Sequence, residues 1–513
     1  MAIKIILLVV FFAVMLGIGI YSRNKAKNVN DYVLGGRTVG PWISAFAFGT
    51  SYFSSVVFIG YAGQFGWKFG LASTWIGLGN AFIGSLLAWL VLGRRTRLMS
   101  QQLDARTMPE YFGKRFDSKA LRIAGSIIAF VFLVPYTAGV YNGLSRLFGM
   151  AFDIDYRICV IIMAALTGAY VVIGGYMATA LNDFIQGIIM LIGICLVIGA
   201  VLAGKGGFTE AVRQLSMVPA DASVTTEALQ GGQGLFASFF GPDPLSLLGV
   251  VILTSLGTWG LPQMVHKFYA IKDEKAVKTG TVVSTFFAIV IAGGCYFLGG
   301  FGRLFSDNPD IYKTDGSVAY DSIVPTMLSS LPDIIIGIVV VLVFSASMST
   351  LSSLVLTSSS TLTLDLIKPL KKKEMSDKMQ LRLMQLFVLV FIAVSVILAF
   401  NPPTFIAQLM GYSWGALAGA FLAPFMYGLY SKNITRAAVW ASYILGVGFT
   451  IFNMFVPVIK SPINAGAVTM IAGLIIVPIV SAITPKPDQN KVKEIFSCYD
   501  KTVVVPETEN LGK

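Results

Sequence analysis

Apolar runs long enough to cross a bilayer recur from one end of this 513-residue chain to the other, and that recurrence limits the fold more than any single motif. About 20 apolar residues in helix cross the roughly 30 Å of bilayer hydrocarbon. Inside it no water can satisfy amides and carbonyls, so a crossing segment must close its own hydrogen bonds. An all-α polytopic membrane protein is therefore expected. Thirteen candidate spans fall at 3–21, 41–66, 73–93, 121–145, 158–177, 183–203, 245–265, 279–301, 333–365, 381–400, 404–430, 437–457 and 464–484, numbered here in that order. Only 12% of residues are charged and the mean hydropathy is +0.76, too little charge to clothe a soluble protein of this length. The first run, Ile3 to Tyr21, could pass for a signal peptide. No small-residue cleavage site follows it and the next stretch is basic, so a retained first span is expected.

Basic residues orient the spans. With the N-terminus outside and sides alternating, 29 of the 38 Lys and Arg fall on inner segments, and the inner face sums to about +14. Topology thus accounts for the net charge of +12, and no nucleic-acid partner is implied. The expected layout is one transmembrane domain over 1–485, with core repeats at about 41–203 and 245–430. Outer loops lie near 204–244 and 302–332, and a mobile cytoplasmic tail covers 486–513. Without a separate soluble domain or a phosphate-binding glycine loop, an ATP-driven pump or tethered enzyme has no place for its machinery. The four cysteines are too scattered for a metal motif, and His266 is the single histidine.

Three spans are unsuited to mere anchoring. Span 2 carries Gly49-Thr-Ser-Tyr-Phe-Ser-Ser55 at mid-membrane, and span 9 carries Ser345-Ala-Ser-Met-Ser-Thr-Leu-Ser-Ser353. Span 7 contains Gly257-Thr-Trp-Gly-Leu-Pro262, which favours a break. Isolated hydroxyls in membrane helices usually bond back to their own carbonyls. Dense hydroxyls on two spans, with a break in a third, instead suit an alkali cation held by unwound carbonyls and side-chain oxygens. Spans 2 and 7 lie five apart, so spans 2–6 and 7–11 would form inverted repeats. Asp183, placed at the inner start of span 6, reads either as a helix-start residue or as an acidic group on the cation route.

Asn30-Asp-Tyr-Val-Leu-Gly-Gly-Arg37, the span 2 hydroxyl run, Ile173-Gly-Gly-Tyr-Met-Ala-Thr-Ala-Leu-Asn-Asp183, Gly260-Leu-Pro-Gln-Met-Val-His-Lys-Phe268 and Met348-Ser-Thr-Leu-Ser-Ser353 together resemble the sodium:solute symporter family. The nearest subgroup looks like the bacterial proline and pantothenate permeases. The resemblance implies a leucine-transporter inverted-repeat fold in the cell membrane and sodium-coupled uptake of a small organic solute: an amino acid, a pantothenate-like carboxylate or a sugar. It implies no enzymatic activity, no obligatory protein partner, and Na+ as the coupling ion, one or two per cycle. It places one sodium at Thr50, Phe53, Ala346, Ser349 and Thr350. A further sodium, as in sialic acid transporters, would use Asp183, Ser349, Ser352 and Ser353. The solute pocket is expected between spans 2 and 7, with Ser54, Tyr136, Trp259, Gln263 and Gln408 as candidates. Tyr52 stands where proline permeases carry an aspartate, and Thr254 and Thr258 stand where they carry aromatics, which argues against a proline-type pocket.

Overall fold

The computed structural model describes residues 2–22, 28–221, 231–371 and 374–504. Among the described residues nearly everything is helix, and pairing of extended chain is limited to two isolated bridges, Val39 with Ile271 and Tyr312 with Val318. The thirteen expected spans all fall on helix, apart from internal breaks and a residue or two at their ends. Among the described residues ten helices are long and apolar enough to cross a membrane, or eleven with one bent pair counted as a span. Large apolar side chains such as Ile6, Ile397, Ile444 and Ile483 are exposed, a surface that suits lipid.

Two of the ten helices are too long for one crossing. Tyr156–Ala203 has 48 residues, which at 1.5 Å per residue is about 72 Å. It is broken at Gly175, where φ is 54° and ψ −148°. A Cβ there would stand 2.8 Å from the Tyr32 carbonyl oxygen. The helical run Val56–Gln102 is interrupted at Gly70, with φ 59° and ψ −140°. Only glycine adopts such angles readily. The expected boundaries between spans 2 and 3 and between spans 5 and 6 fall within a few residues of these glycines.

Several local expectations change. Residues 178–182, expected to link spans 5 and 6, are helical, so Asp183 lies two turns past Gly175 and not in a first turn. The expected outer loops contain helices Phe208–Ser216 and Tyr320–Ser329. The tail is not a mobile end over its described part. Helix Gln489–Phe496 and the residues after it dock on the body: Tyr499 Oη donates to the Leu429 carbonyl at 2.7 Å and Arg97 Nη2 to the Val504 carbonyl at 2.9 Å. Tail residues 505–513, loop residues 222–230, and the basic residues Arg23, Lys25, Lys27, Lys372, Lys373 and Lys513 lie outside the described residues.

Spans 2 and 8 meet backbone to backbone. A Cβ on Gly66 would fall 1.9 Å from the Gly299 carbonyl oxygen, and one on Gly299 2.1 Å from that of Ala62. Small residues permit this approach, which substitutes dispersion contact for the hydrophobic drive that lipid does not supply.

Candidate functional site

Span 2 starts as helix Pro41–Tyr52 and ends when Phe53 turns extended, at φ −95° and ψ 106°. The hydroxyl run explains the break. Ser54 Oγ accepts from the Val56 amide at 3.1 Å, a local bond that competes with the helical ladder, and Ser55 Oγ donates to the Val140 carbonyl of span 4 at 2.8 Å. The helix then resumes at Val56 and runs to Phe69. Such a break leaves the last carbonyls of the first half without partners in their own helix.

Span 9 meets those carbonyls. Ser349 Oγ lies 2.9 Å from the carbonyl oxygens of both Thr50 and Ala346. Thr350 Oγ1 lies 3.4 Å from the Thr50 carbonyl, 3.2 Å from that of Ser51 and 3.2 Å from that of Ala346. Thr50, Ser349 and Thr350 are fully buried. Four of the five expected cation ligands are therefore gathered in one place. Ser51, whose carbonyl joins the group, was not among them. Phe53 stands at the turn, and no hydrogen bond joins it to the group.

The residues expected around a further cation are engaged separately. Ser353 Oγ is 2.8 Å from Ser51 Oγ, and Ser352 Oγ donates to the Ser349 carbonyl at 2.9 Å. Asp183 Oδ2 is 3.2 Å from Nζ of Lys267, with both side chains buried. Its Oδ1 has no hydrogen-bond partner among the described residues. Sequence reasoning had placed Lys267 with the inner loop charges.

Span 7 is helical over Pro244–Leu256, tightens at Gly257–Trp259, turns extended at Leu261 and resumes as Pro262–Tyr269. The halves are bent by 41°. Pro262 suits the start of the second half because the first helical amide needs no partner. Tyr52 Oη donates to the Thr254 carbonyl at 2.7 Å, which ties the two broken spans together. Rings of Tyr52 and Tyr136 lie 5.6 Å and 5.7 Å from that of Trp414.

The expected solute residues divide. Trp259 donates its indole N–H to the Ile83 carbonyl at 2.9 Å and is committed to span 3. Ser54 serves the Val56 amide, and Gln408 accepts from Thr404. Gln263 is buried with neither amide atom partnered among the described residues. Tyr136 is buried beside Trp414. A small space of about 10 Å³ lies beside the broken spans, lined by Tyr52, Phe53, Asn80, Thr258 and Ser284. Asn80 and Trp414 were missed, although an amide in the middle of span 3 was a readable signal.

A second polar cluster closes the opposite end of span 9. Buried Asp365 accepts from Arg122 Nε at 2.8 Å and from Thr107 Oγ1, and Arg122 Nη2 donates to Glu110 at 2.9 Å.

Comparison with known proteins supplies independent findings. The sequence model of the sodium:solute symporter family matches residues 32–446. The osmoregulated proline transporter OpuE of Bacillus subtilis (strain 168) is 30% identical, over 98% of this chain and 99% of its own length. A sodium/proline symporter of Staphylococcus aureus (strain JH9) is 29% identical, over 96% of each chain. Among solved structures, a Na+-coupled sialic acid symporter in a substrate-bound outward-open state superposes with a TM-score of 0.73 at 17% identity, covering 95% of this chain and 99% of that one. The fold is thus that of the leucine-transporter-like sodium symporters.

Proposed function

The chain belongs to the sodium:solute symporter family, and from that premise we propose where its sodium and its solute are held. As a member it is a multi-pass membrane protein that couples sodium to the movement of a small organic solute, and it is a transporter, not an enzyme.

The coupling sodium sits at the break in span 2, on the carbonyls of Thr50, Phe53 and Ala346 and the hydroxyls of Ser349 and Thr350. The observation that carries this reading is the convergence of the Thr50, Ala346, Ser349 and Thr350 oxygens within 2.9–3.4 Å. The donor set fits a hard monovalent cation, because it is all oxygen and uncharged. A hydroxyl that donates to a carbonyl can rotate and turn a lone pair to the ion instead. One sodium per cycle is proposed, because the Lys267 ammonium already balances Asp183, and a second ion at Asp183, Ser352 and Ser353 would have to displace it.

The solute is a small zwitterionic amino acid, with proline, the substrate in the names of the relatives, as the first candidate. Its carboxylate faces the starts of the second half-helices, at Val56 and at Gln263 straight after Pro262, where partial positive charge gathers. Gln263 and Tyr136 flank that place, with Ser54, Trp259 and Gln408 around them. The Tyr52–Thr254 bond marks how this pocket departs from proline permeases.

The positive-inside bias supports an outer N-terminus and a cytoplasmic C-terminus. Thirteen spans, with repeats 2–6 and 7–11 inverted in one domain, would rock about the central site in alternating access. Sodium drives the cycle, since each charge moved inward gains about 2.3 kcal/mol per 100 mV. Uptake of labelled proline and other small amino acids into proteoliposomes, with sodium replaced by potassium or choline, tests the reading. Sodium-driven uptake of at least one is expected; uptake of sugars or pantothenate alone would overturn the solute assignment.

A further inference from the structure

We propose that the cavity where spans 12 and 13 meet the tail binds the head group of an anionic phospholipid, a phosphodiester with no cation of its own. The site goes beyond the transport reading and uses neither its sodium nor its solute assignment.

This cavity has a volume of about 520 Å³. Its walls are the end of helix Met108–Arg115, the start of span 12, the end of span 13 at Thr484, and the tail as far as Ile495. Lys114, Arg115, Arg436, Lys486 and Lys491 line it. Only two acids, Asp117 and Asp488, stand among them, so the walls carry three positive charges in excess. Both acids are already in use. Asp117 accepts from Arg436 Nη2 at 3.0 Å and from Lys491 Nζ at 3.4 Å, one carboxylate shared by two cations. Asp488 caps the tail helix, accepting from the Asn490 and Lys491 amides at 2.9 and 3.4 Å. Buried Arg115 donates to the carbonyls of Gly428 and Ser431, and Lys486 to that of Ser481. Carbonyls carry no net charge, so they leave these two cations uncompensated.

Surplus charge in a crevice with low-dielectric walls draws an anion, and basic pockets between membrane helices suit lipid head groups. The pairs made by Asp117 are exposed and therefore weak, so Arg436 and Lys491 can turn to a phosphate instead.

The surface beside the cavity selects a lipid over a free phosphate. Trp440 and Ile444 lie four and eight residues after Arg436, on one side of span 12, and both are exposed. Ile479 and Ile483, a turn apart at the end of span 13, are exposed too. A phosphate in the cavity thus has apolar ground for acyl chains next to it, with an indole at the boundary, where tryptophan gathers in membrane proteins. A zwitterionic head group would bring its ammonium against the positive walls. Because Lys491, Val492 and Ile495 belong to the tail helix, the bound lipid also bridges the tail to the body.

Native mass spectrometry of the full-length protein released from detergent micelles tests the site. The probes are dioleoyl phosphatidylglycerol, dioleoyl phosphatidylcholine, glycerophosphoglycerol and inorganic phosphate. Phosphatidylglycerol should bind more tightly than phosphatidylcholine, and neither soluble phosphate should displace it. Each lysine near the head group should contribute about fivefold in affinity, so Lys486→Gln with Lys491→Gln should weaken phosphatidylglycerol about thirtyfold. Lys378→Gln, an exposed lysine that does not line the cavity, should leave the affinity unchanged. Should the double variant fail to fold, Lys491→Gln alone takes its place, with a loss of about fivefold. Equal binding of phosphatidylcholine, or full affinity in the lysine variants, overturns the site. Displacement by inorganic phosphate or glycerophosphoglycerol overturns the lipid assignment in favour of a soluble phosphate.

Discussion

Replacing Lys267 with Met tests the buried pair on which the sodium stoichiometry turns. Met fills much of the lysine stem's volume and removes only the ammonium, 3.2 Å from Asp183 Oδ2. Asp183 is fully buried, and its other oxygen has no partner among the described residues, so nothing else there compensates the charge. Breaking a buried pair by removing one partner costs about 3–5 kcal/mol, a shift of roughly 150- to 5,000-fold in the unfolding equilibrium. Neutralising both partners in Lys267→Met with Asp183→Asn strands no charge, so most of that loss should return. Unfolding in mixed detergent and SDS micelles reads the double-mutant cycle. The coupling should lie well above the roughly 0.5 kcal/mol that bounds independent sites. Sodium supplies the second readout. It should raise the melting temperature of Lys267→Met more than that of the parent, because the buried carboxylate that has lost its lysine now takes an ion. The sodium Hill coefficient of uptake should move from about one towards two. Additive losses in the cycle would refute the pairing. Strong coupling with unchanged sodium dependence would refute the single coupling sodium.

Ser349→Ala or Thr350→Ala removes one oxygen from the proposed sodium group and leaves the Thr50 carbonyl short of a donor, a change of about 1–3 kcal/mol. The sodium concentration for half-maximal uptake should rise about 5- to 100-fold, and an unchanged value in both variants would remove the site assignment. Gly66→Ala would place a methyl 1.9 Å from the Gly299 carbonyl oxygen and should abolish folded yield in detergent chromatography. Gly199→Ala, with nothing within 4 Å, should leave yield unchanged. Burial pushes the Asp321 carboxyl up to about 6, against the pull of the Ile406 amide, Arg146 and Lys313. The folded protein then keeps a proton that the unfolded chain releases near pH 3.9, so stability falls as pH rises from about 4 to 6 and levels above. Melting temperatures across that range should show this slope in the parent and lose it in Asp321→Asn. A slope of equal size in the variant assigns it to another group.

Local chemistry was readable in the sequence and long-range pairing was not. The breaks in spans 2 and 7 follow from residues within a few positions of each break, Ser54 and Ser55 in one and Gly260 to Pro262 in the other. The meeting of span 2 with span 9 came from the resemblance, because residues 299 positions apart leave no periodic trace of contact. Lys267 was misread for a related reason: lying between the expected spans 245–265 and 279–301 it counts as loop charge, and only the fold brings Asp183 to it. The helix through 178–182 was hidden because Thr179 and Asn182 look like linker residues, yet both are buried. The cavity lined by Asn142, Arg146, Asp321 and Thr404 was least visible, since its walls come from span 4, an outer helix and the turn before span 11.

The hydroxyls of span 9 and the carbonyls of span 2 stand in unequal positions. Ser349 and Thr350 each reach two kinds of partner, the Thr50 carbonyl across the gap and the Ala346 carbonyl on their own helix. If span 2 swings away, both hydroxyls have a bond to fall back on. The Thr50 and Ser51 carbonyls have none, since their own helix has ended. Opening this contact with no ion present therefore strands two buried acceptors, at about 1–3 kcal/mol each. Sodium held at the proposed site would remove that penalty by taking the place of the lost donors. The break in span 2 thus acts as a brake on the ion-free carrier, one that an ion bound at the break would release.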